Sequence, residues 1–393
     1  IVKVFISLKT FFLYLFINIM RFSDIPGLDD EKNRLIDSFK SNKVHHAILF
    51  SGQKGSANLS LSLAFSTYIN CEKKSDMDSC GACSSCIKMD KLIHPDLNFV
   101  FPVAPTTKIN KEVISDKFIE SWRSSVIESP YLSVDDWFEI YGFENKQPNI
   151  SKDEVRNLIK KLTLKPFESN FKINIIWLPE YLHLSTSNAM LKVLEEPPGN
   201  TLFFLVTNND QKLISTIKSR VQNFKVKRFS DSEMKKYLSV YKDISEDEVD
   251  QAIYLSDGDI NNAQKYLYAS NSEDLDKVKV WMRACYSQNF SEINSQVEWF
   301  NSLSKIKKRT FLTYTLKLMR EALVSRIDES LSRISVSEMS FISKFRMTLN
   351  SQEFESIIIY IDENIRFLDR NANPKILFLD LSIKISDLFK KVK

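Results

Sequence analysis

The chain has 393 residues, of which 43% are hydrophobic and 26% charged, with a formal net charge of +4 at pH 7. That length holds two or three domains, since one core rarely grows beyond about 250–300 residues. The composition is that of a globular protein, and so small a charge does not argue for nucleic-acid binding by itself. Any contact with DNA has to come from a local patch or from an assembly that includes this chain.

At the start, the run Phe11–Met20 is apolar and follows Lys3 and Lys9, a faint likeness to a signal peptide that lacks a small-residue cleavage site. It is also short for a membrane span of about 20 apolar residues. Met20-Arg-Phe-Ser-Asp-Ile-Pro-Gly reads as a cytosolic start, so residues 1–19 are expected to be an over-extended start or a disordered segment. Asp29–Phe39 has the pattern of an amphipathic helix, with Leu35, Ile36 and Phe39 on one side. His46–Phe50 is a short apolar run suited to a buried parallel strand, followed by a loop at Ser51–Ser56 and a helix at Leu59–Asn70. Asn98–Phe101 is the next candidate strand.

Residues 104–149 form a polar, mixed insertion carrying Trp122 and Trp137, with no role legible in it. Ser151-Lys-Asp-Glu154 predicts a capping box at a new helix. Ile173–Leu178 and Leu202–Thr207 are strong strands, separated by a helix at Asn188–Glu196 that Pro197-Pro198 stops. Alternating strands and helices imply a parallel sheet covered on both faces. Beyond it, no glycine follows Gly258, and Pro374 is the only proline after Pro198. Sequence so poor in backbone breakers is expected to be helical, first as a small segment at about 230–275 and then as a domain over 276–393. No other stretch is long and apolar enough to span a bilayer.

Four of the five cysteines cluster as Cys71, Cys80, Cys83 and Cys86, spaced C-x8-C-x2-C-x2-C. Thiolates suit tetrahedral zinc, and four of them close the coordination and leave no catalytic position open. Disulfides fit poorly in a chain that nothing else marks as secreted, and the long C-x8-C arm with the turn-like Gly81 disfavours an iron–sulfur cluster. His94 is expected to be structural rather than a fifth donor, and the isolated Cys285 to be a core residue.

The segment Gly52–Leu59 sits where a G-x-x-x-x-G-K-[ST] phosphate loop would, but Ala57, Asn58 and Leu59 stand in place of the second glycine, the lysine and the hydroxyl. Taken alone, Gly52 and Gly55 are ordinary turn glycines. The strand Ile175–Leu178 ends in Pro179-Glu180, which keeps a glutamate but lacks the metal-associated aspartate of a Walker-B pair.

The order of strand, degenerate loop and helix, the four cysteines, His94-Pro95-Asp96, Asn188–Pro198 ending Leu-Glu-Glu-Pro-Pro, and Ser219-Arg220-Val221 resembles the bacterial clamp-loader subunits, delta-prime and its ATPase relatives gamma and tau. The resemblance covers about residues 20–275 well, and the rest in helical character only. It implies an α/β AAA+ RecA-like domain at 20–229 with a zinc module at 71–86. A small helical lid at 230–275 and an all-α collar for oligomerisation at 276–393 would follow. In that family the motor subunits keep an arginine in the lid where this chain has Asn261, and a Ser-Arg-Cys arginine reaches the neighbouring subunit's ATP. Here Val221 replaces that cysteine while Arg220 keeps the charge.

The resemblance therefore implies a non-hydrolysing, cytoplasmic delta-prime subunit. It would bind structural zinc and no ATP of its own, partner gamma/tau and delta subunits, and act on the sliding clamp and primed DNA only through the complex. Arg220, with Ser219, would act in trans. By residue type alone a single Arg in a helix reads as a solvated surface charge, and Lys192, Glu195 and Glu196 read as a solvated face. Thr207 and Asn208, at a sensor position, are expected to be structural. Two other readings stand beside this one. They are an ATP-hydrolysing motor subunit, opposed by Asn58, Leu59, Pro179 and Asn261, and an exported zinc protein, supported by Ile1–Ile19.

Overall fold

The computed structural model describes residues 21–143, 146–240, 244–269, 274–327, 336–345 and 347–392, so the expectation for Ile1–Ile19 lies outside the described residues. The chain divides into two compact units, Ile1–Tyr241 with Gly258–Asn261, and Lys242–Asp257 with Asn262–Lys393.

In the first unit five strands, β1 (Ala47–Ser51), β2 (Leu97–Val100), β3 (Lys172–Trp177), β4 (Thr201–Thr207) and β5 (Gln222–Lys225), pair in parallel in the order β2-β3-β4-β1-β5. Every residue of β1, β3 and β4 is buried, Lys172 and Asn174 of β3 among them, as expected when helices cover both faces of a sheet. β5 was not legible as a strand because only Phe224 of its four residues is buried, which is the pattern of an edge.

The helices of this unit are α1 (Asp29–Lys40), α2 (Asn58–Asn70), α3 (Ser84–Asp90), α4 (Ile119–Glu128), α5 (Val134–Tyr141), α6 (Lys152–Leu162), α7 (Leu184–Glu195), α8 (Ser215–Lys218) and α9 (Asp231–Leu238). Together with the strand order, they make this a parallel α/β domain with helices on both faces of the sheet. α7 begins one turn before the Asn188 start expected from sequence. α2 is buried on all sides, and several of its hydroxyls are satisfied within the helix: Ser62 donates to the Leu59 carbonyl at 2.7 Å, Ser66 to the Ser62 carbonyl at 2.6 Å and Thr67 to the Leu63 carbonyl at 3.0 Å. A helix so enclosed fixes its N-terminus firmly against the ends of the strands.

The second unit is helical throughout its described residues: α10 (Glu246–Ser256), α11 (Ile260–Ala269), α12 (Asp274–Ser287), α13 (Phe290–Ser302), α14 (Lys305–Val324), α15 (Val336–Phe345), α16 (Ser351–Asp369) and α17 (Pro374–Val392). Its core is aromatic. Phe300 and Phe378 stack at 4.1 Å, Trp281 stacks on Phe378 at 4.5 Å, and the Trp281 indole donates to Ser382 Oγ at 2.9 Å. Cys285 is fully buried here, and burial pushes its thiol up to about 12, consistent with a packing role.

The 104–149 insertion is folded around aromatic side chains. Val103 and Asn149 bridge its base, and Trp122 and Trp137 are both fully buried. Trp122 stacks on Phe101 at 4.9 Å, and the Trp137 indole donates to the Pro102 carbonyl at 2.9 Å. The capping box expected at α6 is only half formed. Ser151 Oγ accepts from the Glu154 amide, but the Glu154 carboxylate turns to the insertion. There it accepts from the Ser115 amide at 2.5 Å and from Ser115 Oγ at 2.6 Å.

Burial raises the Glu154 carboxyl to about 7. The folded value lies above the unfolded one, so its contribution is complete below the unfolded value and is lost as pH rises through about 7. Urea unfolding should therefore show Glu154→Gln gaining on the wild type between about pH 5 and pH 8, by on the order of 2–3 kcal/mol. A constant difference across that range would mean that Glu154 does not titrate there.

Candidate functional site

The strand order brings the C-terminal ends of β1, β3 and β4 together at the head of α2, the usual ligand edge of an open parallel sheet. The loop from β1 to α2 carries the degenerate motif. A phosphate cradle needs its amides aimed at one point and a cation beyond them. Here the loop turns on itself, with the Ser56 amide and Oγ donating to the Gln53 carbonyl at 3.1 and 2.6 Å. Gly55 has φ +77°, and a Cβ there would lie 1.9 Å from Asp259 Oδ1, so a buried aspartate presses directly on the loop. An acid in that position repels a phosphate group.

Asn58, in the lysine position, is buried and points inward. Its Nδ2 donates to the Thr207 carbonyl and to Asn208 Oδ1, both at 2.8 Å, which ties the start of α2 to the end of β4. Leu59, in the hydroxyl position, is buried and apolar and offers a metal nothing. Glu180 follows β3 after Pro179, and its Oε2 accepts from Thr207 Oγ1 at 2.9 Å. Burial raises the Glu180 carboxyl above its ordinary value. Thr207, Asn208, Asn58 and Glu180 thus form one closed hydrogen-bonded group. Asn261, in the first turn of α11, donates its Nδ2 to Asp136 Oδ2 at 2.6 Å.

Arg220 follows α8 and sits at the rim of an open cleft of about 470 Å³ lined by His45, His46, Leu194, Glu195, Ser219, Val221 and Gln222. Its guanidinium pairs with Glu195 Oε1 at 2.5 Å and donates to the Thr216 carbonyl at 2.9 Å and to Ser219 Oγ at 3.2 Å. The Arg220 side chain is 32% exposed and that of Glu195 47%, so the pair is worth at most about 1 kcal/mol and opens readily. Glu195 is therefore a partner for the arginine rather than only part of a solvated face.

The four cysteines converge from three local devices. Cys71 ends α2, Cys80 and Cys83 flank Gly81 at φ +68°, and Cys86 lies in the first turn of α3, where Cys83 is the N-cap. Their sulfurs all lie within 4.8 Å of one another, with Cys71–Cys83 at 4.0 Å and Cys80–Cys86 at 3.9 Å. A disulfide requires about 2.05 Å. The edge of a tetrahedron of sulfurs around an ion at 2.3 Å is about 3.8 Å, close to the 4.0 and 3.9 Å of these two pairs. Amides of Cys80, Ala82, Cys83 and Cys86 donate to these sulfurs at 3.3–3.4 Å, as thiolate ligands require. The amide of Ala82 foremost lowers the Cys80 thiol to about 6, while burial raises those of Cys71 and Cys86. The residues fit a soft tetrahedral cation, and His94 is not among them.

His94-Pro95-Asp96 has a different task. Asp96 is buried, and its carboxylate accepts from the amides of Phe167, Glu168 and Ser169 at 2.6, 2.8 and 2.9 Å. It thereby builds the turn before β3, and Lys88 on α3 reaches Glu168 at 2.5 Å. The motif so couples the cysteine module to the sheet. Sequence reasoning missed the insertion's part in this region. Ser133-x-x-Asp136 is a full capping box on α5, and that signal was present in the sequence.

The sequence profile of a family described as DNA polymerase III, delta subunit, matches residues 28–230. DNA polymerase III subunit delta' of Escherichia coli (strain K12) is 26% identical over 197 residues, covering 50% of this chain and 46% of that one. Subunit tau of Bacillus subtilis (strain 168) is 28% identical over 218 residues, covering 56% of this chain and 31% of that one. The chain thus spans less than half the length of these curated relatives. A solved gamma subunit-related protein of Thermotoga maritima aligns with 90% of this chain and 99% of its own, at 15% identity and a TM-score of 0.41.

Elemental analysis of the purified chain should find about one metal ion per chain, bound by thiolates in absorption spectra. Cys86→Ser should lose most of that ion and lower stability by roughly 2–5 kcal/mol. Equal metal content in the variant would remove Cys86 from the ligand set.

Proposed function

Because the chain belongs to the DNA polymerase III delta-subunit family of clamp-loader proteins, we propose that it is the delta-prime-type subunit, one that hydrolyses no ATP itself. The alignments with tau and delta' relatives are similar in identity, so the subtype rests on residues. The single observation that carries it is Asn58. Where a motor subunit needs a lysine aimed at phosphate, this chain has a carboxamide spent on β4. Leu59, Pro179 and Asn261 support the same reading, and the four-cysteine cluster is read as structural zinc.

In this proposal the chain is a rigid member of a ring with gamma/tau and delta subunits, in the cytoplasm, and meets the sliding clamp and primed DNA through that assembly. Among the described residues no helix is long and apolar enough to cross a membrane. The division into AAA+ domain, lid and collar, at about 230 and 276, belongs to the proposal. So does ring assembly through the helical part, supported by the exposed Ile376, Leu379 and Ile383 on one face of α17.

Arg220 is proposed as the group given in trans. A guanidinium beside a developing γ-phosphate charge accelerates hydrolysis by about 10³–10⁵ in well-studied systems. Its exposed pairing with Glu195 is weak enough to be exchanged for a triphosphate, and the pair holds it ready at the cleft rim.

The test is reconstitution with cognate motor and delta subunits, reading clamp- and DNA-stimulated ATP hydrolysis. Arg220→Ala should leave the complex assembled and reduce hydrolysis at the adjoining site by on the order of 10³-fold. The chain alone should be inactive. An assembled complex that hydrolyses ATP at the wild-type rate would make Arg220 a surface charge, and hydrolysis by the isolated chain would overturn the subtype.

A further inference from the structure

The stretch Pro130–Asp136 of the insertion reaches the loop region at several separate points. Ser60, in the first turn of α2, donates its Oγ to the Pro130 carbonyl at 2.9 Å. Tyr131 is almost wholly buried, with its ring edge-on to Phe229 at 5.5 Å and to Tyr237 of α9 at 5.6 Å. Four residues on, Lys54 of the loop pairs with the Asp135 carboxylate. The next carboxylate, Asp136, accepts from Asn261 while also capping α5 through Ser133 Oγ at 2.7 Å.

These contacts have an order. An aromatic ring lies among aromatic side chains at one end, and two carboxylates lie at the other, against the one cation of the loop and an amide donor. A nucleotide presents the same sequence of groups, a flat ring followed by anions. Aromatic edge contacts suit a base as they suit a phenol, and Lys54 and Asn261 suit phosphate oxygens as they suit carboxylates.

We infer that Pro130–Asp136 is a built-in surrogate ligand that fills the vestigial nucleotide site, with Tyr131 in the position of the base and Asp135 and Asp136 in that of anionic groups. The inference rests on the reading of Gly52–Leu59 as a former phosphate loop. It explains how the loop keeps a defined fold without bound phosphate. It also makes the arrangement of the loop, α9 and Asn261 independent of the cellular ATP level, which suits a subunit that serves as a fixed member of a ring.

Backbone hydrogen exchange on the full chain tests this with two variants. Tyr131→Ala removes the ring, and Asp135→Lys sets like charge against Lys54 on an exposed side chain whose change leaves the core intact. Tyr131→Ala is expected to accelerate exchange about tenfold or more in Gly52–Leu59 and in α9, and Asp135→Lys, which acts on an exposed pair, about threefold to fivefold in Gly52–Leu59, with α12 and α13 unchanged as the control for folding. Millimolar MgATP should leave wild-type exchange in Gly52–Leu59 unaltered. Acceleration confined to the insertion itself, or protection of the wild-type loop by MgATP, would overturn the inference. If Tyr131→Ala does not fold, Asp135→Lys decides alone. A negative result here leaves the hydrolysis assay above untouched, and hydrolysis by the isolated chain would sink the subtype whatever the exchange shows.

Discussion

At the head of α2 the Asn58 carboxamide gives both of its Nδ2 bonds to the end of β4, one to the Thr207 carbonyl and one to Asn208. α2 is enclosed on every side, so its first turn cannot shift without opening the core. In a nucleotide-binding protein this spot holds a long cation that must stay free for phosphate. Here it holds a short amide that joins helix to strand, and Thr207 passes the connection on to Glu180. The result is a brace that joins the start of α2 to the ends of β4 and β3.

The outer parts of this unit are held from that brace in two directions. Toward β2, the buried Asp96 carboxylate organises the Phe167–Ser169 turn, and the four sulfurs gather the long connection after α2 into a compact knuckle. Toward the loop, the insertion leaves and returns at the Val103–Asn149 bridge and is pinned by Glu154 to Ser115. Arg220 sits on an open cleft beside Glu195 and Ser219, in a weak, exposed pair with Glu195. Rigidity at the head of α2 and availability of one arginine are compatible, since Asn58 stands at the C-terminal ends of the strands while Arg220 and its cleft lie beside the starts of β1 and β5, at His46 and Gln222.

Much of this was legible from residues because the signals were local and redundant. β1 and β4 carry continuous apolar runs, β3 is apolar apart from Lys172 and Asn174, and the absence of lysine, hydroxyl and aspartate at the motif positions is visible in the sequence itself. The cysteine spacing likewise carries its own geometry. The misses have physical reasons. β5 is an edge with one buried residue, so its sequence gives no apolar alternation to read. The Ser151 box looked complete in sequence, but a tertiary partner, Ser115, took the Glu154 carboxylate that the local motif would have used. The insertion's role was hidden because Tyr131, Asp135 and Asp136 matter only through Phe229, Lys54 and Asn261, which lie far away in the chain. Long-range contacts of that kind leave no periodicity.

The claim on which the rest turns is that this nucleotide site is closed. Titrating the isolated wild-type chain with MgATP in a calorimeter addresses it directly. No saturable heat up to millimolar nucleotide is the expected result. Saturable binding in the micromolar range would mean that the loop still cradles phosphate, and would contradict the account.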